Sequence, residues 1–363
     1  MSLFLQSIAL YQFKNYPQNE FSFSEQIVGI CGRNGVGKTN LLDAIHYLCF
    51  TKSYFTRQDQ LNIYHNKEGF RLEGYFNING KEENAVCILR ENGKKEFSVN
   101  DESYSRFSKH IGHYPCVIIA PDDVQLIIGG SEERRKFIDT LLSQLDPDYL
   151  QSLISYNKIL LQRNSFLRSY ENSFNKNLTV LDILDEQLVK EANAVFEKRR
   201  SFLLKLLPMV KQFYNDICQR FEDITIFYES ELHSNSITEL LADTRSKDLM
   251  LQRTTTGIHR DDLLFKLGAQ PFKTIASQGQ RKSLLFALKL AEMEILKEEK
   301  RLSPILLLDD VFEKLDDERI TNLLIRVCSD EDAQIFITDT NCERLQQQLN
   351  KLNRPVQIIE LKS

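Results

Sequence analysis

The chain has 363 residues, of which 42% are hydrophobic and 27% charged, so we expect a globular protein large enough for two domains. Its formal net charge of −5 argues against general affinity for polyanions and confines any nucleic-acid contact to local basic patches. No apolar run approaches the roughly 20 residues that cross a bilayer, and the start of the chain lacks the features of a signal peptide.

The first 31 residues are predicted to be strands that lead into a phosphate-binding loop. Apolar residues alternate or cluster in IALYQF, FSFS and IVGIC, as they do in β-strands. The last of these runs precedes GRNGVGKT at 32–39, a complete G-x-x-x-x-G-K-T match, and apolar residues at helical spacing follow it. Strand, glycine loop and helix are the context in which this motif binds a nucleotide.

The residue types in this loop suit a nucleoside triphosphate with Mg²⁺. Glycines let the backbone turn its N–H groups toward phosphate oxygens, and the N-terminus of the next helix adds positive potential. We expect Lys38 to bridge the β- and γ-phosphates, and Thr39 to place its hydroxyl on Mg²⁺. The expected nucleotide-binding residues are Gly32, Arg33, Asn34, Gly35, Val36, Gly37, Lys38, Thr39 and Asn40.

Strand-like segments continue to about residue 120, and helical periodicity takes over after Ser131. Ser131 is the predicted N-cap of a helix over SEERRKFIDTLLSQL. Helical pattern then dominates from about 148 to 220, with a break near 172–177. DITIFYE at 223–229 is a predicted strand, and a helix is predicted over 236–252.

Two basic clusters lie in this helical insert. They consist of Arg134, Arg135, Lys136, Lys198, Arg199 and Arg200. A single run of this kind is more often a solvated helix face. Two runs in a chain of net charge −5 indicate a surface that contacts a nucleic-acid backbone. No motif suited to base recognition accompanies them, so we expect little sequence preference.

The last hundred residues alternate helices and strands and carry an acidic partner for the phosphate loop. ILLLDD at 305–310 is an apolar strand that ends in two carboxylates. At the carboxyl edge of a parallel sheet these carboxylates would lie beside the loop. Asp309 suits the Mg²⁺ shell, and Asp310 is placed to orient or deprotonate the attacking water, with Lys38 as its catalytic partner. One site is thus predicted from both ends of the chain.

A third segment, SQGQ at 277–280, precedes another predicted helix. By itself it is a capping box, with a serine at the cap and a glutamine three residues on. The order of phosphate loop, long insert, S-x-G-Q helix and acidic strand resembles the ATPase heads of the ABC superfamily. In those heads this helix N-terminus faces the γ-phosphate held by a partner subunit. The resemblance implies nucleotide contacts by Ser277, Gly279 and Gln280, and an ATP-dependent homodimer.

Within that superfamily, segments along nearly the whole chain resemble the RecF family of bacterial recombination mediators. They are LFLQSIALYQFKNY at the start, IIAPDDVQLIIGGSEERRKFID at 118–139, GIHRDDLLF at 257–265, SQGQRKSLLFALKLAE at 277–292 and LLLDDVFEKLDDER at 306–319. The resemblance implies a weak, DNA-dependent ATPase that dimerises head to tail on DNA when it binds ATP. It also implies a role in recombinational repair, replication-fork maintenance and the SOS response, with RecR and RecO as partners.

The implied fold is an α/β ABC-type P-loop head with a mostly helical second lobe inserted. We expect the N-terminal part of the ATPase lobe over 1–122. The helical lobe, with a short coiled-coil-like arm, is expected over 123–255. The signature helix and the C-terminal part of the ATPase lobe are expected over 256–363.

Three positions depart from the pattern of ABC heads. Asp310 stands where these heads carry a glutamate, and the shorter side chain draws the carboxylate back by roughly an ångström, which predicts slow hydrolysis. The switch histidine is replaced by Asp339 or Thr340. Pro121 stands where the lid glutamine is expected, and Gln125 is the alternative candidate for that role.

Two other functions fit part of the pattern. A transporter nucleotide-binding subunit shares the fold but needs a membrane partner, and a small-molecule P-loop kinase does not need the S-x-G-Q helix. The strand-rich stretch at 60–115 and the RecF-like segments argue against the transporter, and the S-x-G-Q helix argues against the kinase. Seven scattered cysteines without a C-x-x-C pair predict a cytoplasmic protein with no zinc site and no disulfide framework.

Overall fold

The computed structural model describes residues 2–170, 177–218, 222–311, 324–328, 330–352 and 354–362. They form two compact units. Of these residues, unit 1 contains those within Met1–Val124, Phe213–Arg220 and Gln278–Ser363, and unit 2 contains those within Gln125–Gln212 and Phe221–Ser277. The expected α/β class of an ABC-type P-loop head is confirmed. Residues 256–277, expected in the ATPase lobe, cluster with unit 2 instead.

The strands are β1 (Leu3–Phe13), β2 (Tyr16–Ser22), β3 (Ile27–Cys31), β4 (Phe70–Ile78), β5 (Lys81–Leu89), β6 (Lys95–Val99), β7 (Glu102–Ser103), β8 (Cys116–Ile119), β9 (Ile224–Glu229), β10 (Asp262–Leu267), β11 (Gln270–Pro271), β12 (Ile305–Leu308), β13 (Ile335–Asp339) and β14 (Val356–Glu360). The helices are α1 (Lys38–Phe50), α2 (Gln125–Ile128), α3 (Ser131–Leu145), α4 (Pro147–Tyr170), α5 (Thr179–Cys218), α6 (Ile237–Leu251), α7 (Phe272–Ile275), α8 (Gln278–Lys300) and α9 (Cys342–Asn350).

A parallel five-stranded sheet in unit 1 positions the site. Its strand order is β14-β3-β13-β12-β8. The strand before the phosphate loop, β3, is therefore separated from the acidic strand β12 only by β13. The register pairs Asp339 with Cys31 on one side of β13 and Ile337 with Leu308 on the other. The carboxyl ends of the three strands consequently lie side by side, where ligands bind in such sheets.

A second, antiparallel sheet in unit 1 has the order β2-β1-β4-β5-β6-β7. Helix α1 contacts β1 and β4 of this sheet and also β8 and β13 of the parallel sheet. Its apolar residues, including Leu41, Leu42 and Leu48, are fully buried. Burying each such side chain contributes about 1.5–3 kcal/mol, so the helix that begins with the phosphate-loop lysine is firmly held.

Unit 2 combines long helices with a small antiparallel sheet of order β11-β10-β9. The predicted helices from 148 to 220 are confirmed as α4 and α5, which end and begin on either side of the predicted break. Arg163 of α4 is fully buried and forms ion pairs of 2.6 Å with Asp185 of α5 and 2.7 Å with Asp248 of α6. The prediction that Ser131 caps α3 is wrong, because Ser131 is already helical and Gly130 is the N-cap.

No helix within the described ranges is long and apolar enough to cross a membrane.

A disulfide joins Cys31, at the end of β3, to Cys342, at the start of α9. The expectation that the cysteines remain unpaired is therefore wrong for this pair. They are 311 residues apart in sequence, and the pairing of β3 with β13, which ends three residues before Cys342, brings them together.

Candidate functional site

The glycine loop at 32–37 adopts backbone conformations that other residues rarely reach. Gly35 and Gly37 have φ values of +84° and +112°. A Cβ atom on Gly37 would also lie 2.6 Å from Asn15 Nδ2 and 2.7 Å from Tyr16 Oη, so glycine is needed there on both counts. The loop leads directly into α1, as the sequence predicted.

Lys38 is held within this loop. Its side chain is buried, and Nζ donates hydrogen bonds to the carbonyl oxygens of Gly32 at 3.0 Å and Arg33 at 3.2 Å. A buried ammonium group therefore lies against two carbonyl groups of the glycine loop, and its residue is the first of a helix. This combination favours phosphate groups.

The turn between β1 and β2 supports the loop from outside, and the sequence analysis missed it. Tyr16 Oη donates a hydrogen bond to the Gly37 carbonyl at 3.0 Å, and Asn15 Nδ2 donates to the Val36 carbonyl at 3.0 Å. Asn40 Nδ2 then donates to Asn15 Oδ1 at 2.7 Å. Burial raises the pKa of Tyr16. A polar pair in a hairpin turn carries no local signal that it contacts a loop 21 residues away.

The structure brings the phosphate loop and the acidic strand together. Thr39 Oγ1 lies 3.0 Å from both carboxylate oxygens of Asp309, across 270 residues of sequence. Thr338 Oγ1 donates to Asp309 Oδ1 at 2.8 Å. Burial raises the pKa of Asp309, and the hydrogen bonds from Thr338 and Thr39 oppose that shift.

This pair fits Mg²⁺ by its chemistry, because a threonine hydroxyl and a carboxylate are hard oxygen ligands. Within the described part of the chain, no cluster of three or more histidine, cysteine, aspartate or glutamate side chains could hold a metal. A site with one or two protein ligands is the usual arrangement for Mg²⁺, which takes its other ligands from phosphates and water.

Asp310 has an unusual backbone conformation. Its φ is +45°, in the left-handed region that residues other than glycine rarely adopt. Its N–H donates a hydrogen bond to Thr338 Oγ1 at 2.9 Å. Backbone strain of this kind concentrates at functional sites.

Two of the departures from the ABC pattern now have a structural description. Asp339 is buried and forms an ion pair with Arg344 of α9, with 2.6 Å between Oδ1 and Nη2. One of the two residues considered for the position of the switch histidine is thus a buried acid that is paired with an arginine. Pro121 begins a short 3₁₀ turn over Pro121–Val124.

Ser277 directly precedes α8, and Gly279 and Gln280 lie in the first turn of that helix. Ser277 is exposed, and Gly279 and Gln280 are half-buried. The segment EKLD at 313–316, where ABC heads carry a dimer-interface loop, lies outside the described residues.

The structure corrects the expected DNA-contacting clusters. Arg134 forms a two-pronged ion pair with Asp262, at 2.6 and 3.0 Å. Arg199 is 2% exposed and pairs with Asp139 at 2.8 Å and Asp261 at 3.0 Å. Both arginines neutralise acids inside unit 2 and are not available to a phosphate.

The other members of the clusters differ in exposure. Arg135 is half-buried, and its Nη1 donates to the Asp261 carbonyl at 2.7 Å. Lys136 is exposed. The side chains of Lys198 and Arg200 are 54% and 52% exposed and pair with Asp146 and Glu197, respectively.

Comparison with known proteins places the chain in a family. The sequence-family model described as the RecF/RecN/SMC N-terminal domain matches residues 4–360 of this chain. Proteins named DNA replication and repair protein RecF from Flavobacterium johnsoniae and Phocaeicola vulgatus are each 40% identical to it. The matches cover 98% of this chain in both cases, and 99% and 96% of those proteins, respectively.

Solved structures support the same family assignment. The recombination mediator protein RecF, in a structure described as RecF-ATP in the RecFOR pathway, has a TM-score of 0.86 and 30% identity, covering 94% of this chain and 92% of that one. An Smc head domain from Pyrococcus furiosus has a TM-score of 0.53 at 14% identity, which shows a shared fold. The resemblance inferred from the motifs is confirmed, and it outweighs the transporter and kinase alternatives. The chain therefore belongs to the RecF family of DNA replication and repair proteins.

Proposed function

We propose that this chain is a weak ATPase of recombinational repair whose ATP-bound state binds DNA as a dimer. The contact between Thr39 and Asp309 carries the proposal, because it joins the phosphate loop to the acidic strand across the fold. A generic glycine turn would not require a buried carboxylate at this position. RecF relatives over nearly the full chain support the same function.

The roles of the site residues follow from their chemistry. Lys38 and the loop amides would hold the β- and γ-phosphates of ATP. Thr39 and Asp309 would hold Mg²⁺, which supplies charge neutralisation to the phosphates when bound. Asp310 would orient the attacking water or accept its proton. Its short side chain favours a low rate, suited to a switch that releases DNA after hydrolysis.

The second half of the site is proposed to come from another copy of the chain. Ser277, Gly279 and Gln280 at the start of α8 would face the γ-phosphate bound by the partner, in a head-to-tail dimer. The support is that α8 is a 23-residue helix with an exposed serine before its first turn, a position suited to an anion.

DNA contacts are proposed for the exposed cations of the two basic clusters, namely Lys136, Lys198 and Arg200. Their contacts would be to the backbone, with strong salt dependence and little sequence preference. By analogy with the family, RecR and RecO are the proposed protein partners. We propose a cytoplasmic location, where chromosomal DNA is found.

The test compares Lys38→Met with Lys67→Met, a change of the same kind at an exposed position. Binding of a fluorescent ATP analogue and ATP hydrolysis are measured with and without duplex DNA. We expect the unmodified protein to hydrolyse ATP more slowly than about one per second, against about ten for a typical enzyme, and DNA to stimulate it.

Lys38→Met should lose nucleotide binding and DNA stimulation, whereas Lys67→Met should retain both. Equal ATP binding by Lys38→Met and the unmodified protein would contradict the assignment of the phosphate loop.

A further inference from the structure

The hydroxyl group of Thr338 contacts both residues of the acidic pair. Its oxygen accepts the N–H of Asp310 at 2.9 Å, and it lies 2.8 Å from Asp309 Oδ1. A backbone N–H can only donate, so the hydroxyl hydrogen is free to point at the Asp309 carboxylate. One side chain thus connects two consecutive residues for which distinct roles are proposed.

The position of β13 explains how Thr338 reaches both residues. This strand lies between β3 and β12, and Thr338 pairs with Ile30 in the register with β3. On the other side, Ile337 pairs with Leu308, the last residue of β12. Thr338 is therefore one step beyond the paired part of β12, at the level where Asp309 and Asp310 leave the sheet.

The Thr338 side chain is well suited to fix an orientation. It is fully buried, and a β-branched residue in a strand has few χ1 conformations. Neither hydrogen bond depends on solvent, and the bond to Asp309 is charge-assisted when that group is ionised, so both are stronger than exposed bonds.

Both bonds act on features of the site that need an external constraint. Asp309 has to present its oxygens to Thr39, and the bond from Thr338 holds the Oδ1 atom that Thr39 also contacts. Asp310 is kept in a left-handed conformation that most residues avoid, and the bond from its N–H to Thr338 helps to hold it there. Loss of the hydroxyl would release both constraints together.

We propose that Thr338 is a positioning residue for ATP hydrolysis, which orients Asp309 toward the metal ligand Thr39 and holds the turn that presents Asp310. This inference rests on the proposed function of the site. Thr338 is not proposed to contact the nucleotide, the metal or water directly. Its hydroxyl group acts by placing the carboxylates of Asp309 and Asp310.

The test uses Thr338→Val, which keeps the shape and removes the hydroxyl, and Thr338→Ser, which keeps the hydroxyl. Thr225→Val, at an exposed strand position of unit 2, is the matched control. Three quantities are measured: the single-turnover rate of ATP hydrolysis, the Mg²⁺ concentration needed for half-maximal binding of an ATP analogue, and the thermal unfolding midpoint.

We expect Thr338→Val to lower the single-turnover rate by about tenfold or more and to raise the Mg²⁺ requirement severalfold, as loss of a hydrogen bond to a charged group implies. Binding of the analogue without Mg²⁺ should stay within about twofold of the unmodified protein, because Lys38 and the loop amides are unchanged. Thr338→Ser should recover most of the rate, and Thr225→Val should behave like the unmodified protein.

A Thr338→Val protein that is folded and keeps both the rate and the Mg²⁺ requirement would overturn the inference. So would equal losses in the valine and serine variants, since the serine variant keeps the hydroxyl group and its loss would point to packing. If the valine variant does not fold, Thr338→Cys is compared with Thr338→Ser, because both lack the methyl group and a thiol is only a weak hydrogen-bonding group.

The Lys38→Met variant separates this inference from the proposed function. If Lys38→Met is inactive and Thr338→Val is normal, only the role of Thr338 fails. If Lys38→Met hydrolyses ATP as the unmodified protein does, the proposed function itself fails, and the role of Thr338 fails with it.

Discussion

Individual polar contacts within the phosphate loop and from the turn between β1 and β2 constrain the geometry of the loop. Lys38 is bonded to carbonyl groups inside the loop, and Tyr16 and Asn15 are bonded to carbonyl groups on its outer side. The loop is therefore constrained on two sides. We infer that its conformation is largely set before a nucleotide binds, which lowers the entropic cost of binding.

Replacement of Tyr16 by phenylalanine tests this constraint. The change removes the hydrogen bond to the Gly37 carbonyl and leaves the ring in place, so we expect a loss of about 1 kcal/mol in the free energy of unfolding. The affinity for an ATP analogue should fall severalfold, as measured by fluorescence titration. Tyr11→Phe, on the neighbouring strand and half-buried, is the control. Unchanged affinity in Tyr16→Phe would show that this turn does not shape the loop.

At the residue scale, motif residues were predictable and their supporting residues were not. The glycine-lysine-threonine pattern and the apolar strand before Asp309 each have a local sequence signature. Thr338 and Tyr16 act through hydrogen bonds to residues far away in sequence. Nothing in their own neighbourhood distinguishes them from other strand or turn residues.

Helix α5 buries one arginine, Arg199, from a run of three basic residues. Its buried apolar residues recur at helical spacing as Ala192, Val195, Phe196, Phe202, Leu203 and Leu206. Arg199 falls in the middle of this stripe, whereas Lys198 and Arg200 fall beside it. The run of three basic residues suggested one exposed patch, but the period of the helix already separates Arg199 from its neighbours.

Replacement of Arg199 by alanine should therefore affect stability. The change leaves Asp139 and Asp261 without their partner, and breaking a buried pair of this kind costs about 3–5 kcal/mol. Urea unfolding should show this loss. Arg200→Ala, at an exposed position, should change stability by less than about 0.5 kcal/mol. Similar stabilities for the two variants would show that Arg199 is not held as described.

Substitution of Lys198 and Arg200, the exposed neighbours of Arg199, tests DNA binding separately from stability. Removing Lys198 and Arg200 together should weaken duplex binding and reduce its salt slope by about one for each phosphate that they neutralise. This double variant should remain as stable as the unmodified protein. A normal salt slope would exclude both residues from the DNA surface.

At the scale of the whole molecule, one parallel sheet joins the two ends of the chain. The strands β3, β13 and β12 place the phosphate loop beside the acidic pair, and Cys31 and Cys342 form a covalent link at the same edge. The order of the motifs along the sequence predicted that the phosphate loop lies beside the acidic pair. It also predicted the RecF family. The disulfide and the boundary at Ser277 could not be predicted, because both depend on which distant strands pair, and scattered cysteines carry no spacing signal.

We propose that a complete ATP site requires two copies of the chain. If Ser277 of one copy completes the site at Lys38 of another, a head-to-tail dimer contains two such sites. Lys38→Met disables the phosphate loop, and Ser277→Arg disables the surface that closes it. A mixed dimer of the two variants would carry both defects in one site and leave the other site intact.

The decisive measurement is DNA-stimulated ATP hydrolysis by a mixture of Lys38→Met and Ser277→Arg proteins. We predict that each variant alone is inactive and that the mixture regains activity, with the gain rising as the variants approach equal amounts. An inactive mixture of two folded variants, or a Ser277→Arg protein that is fully active alone, would show that the ATP site does not require two copies of the chain.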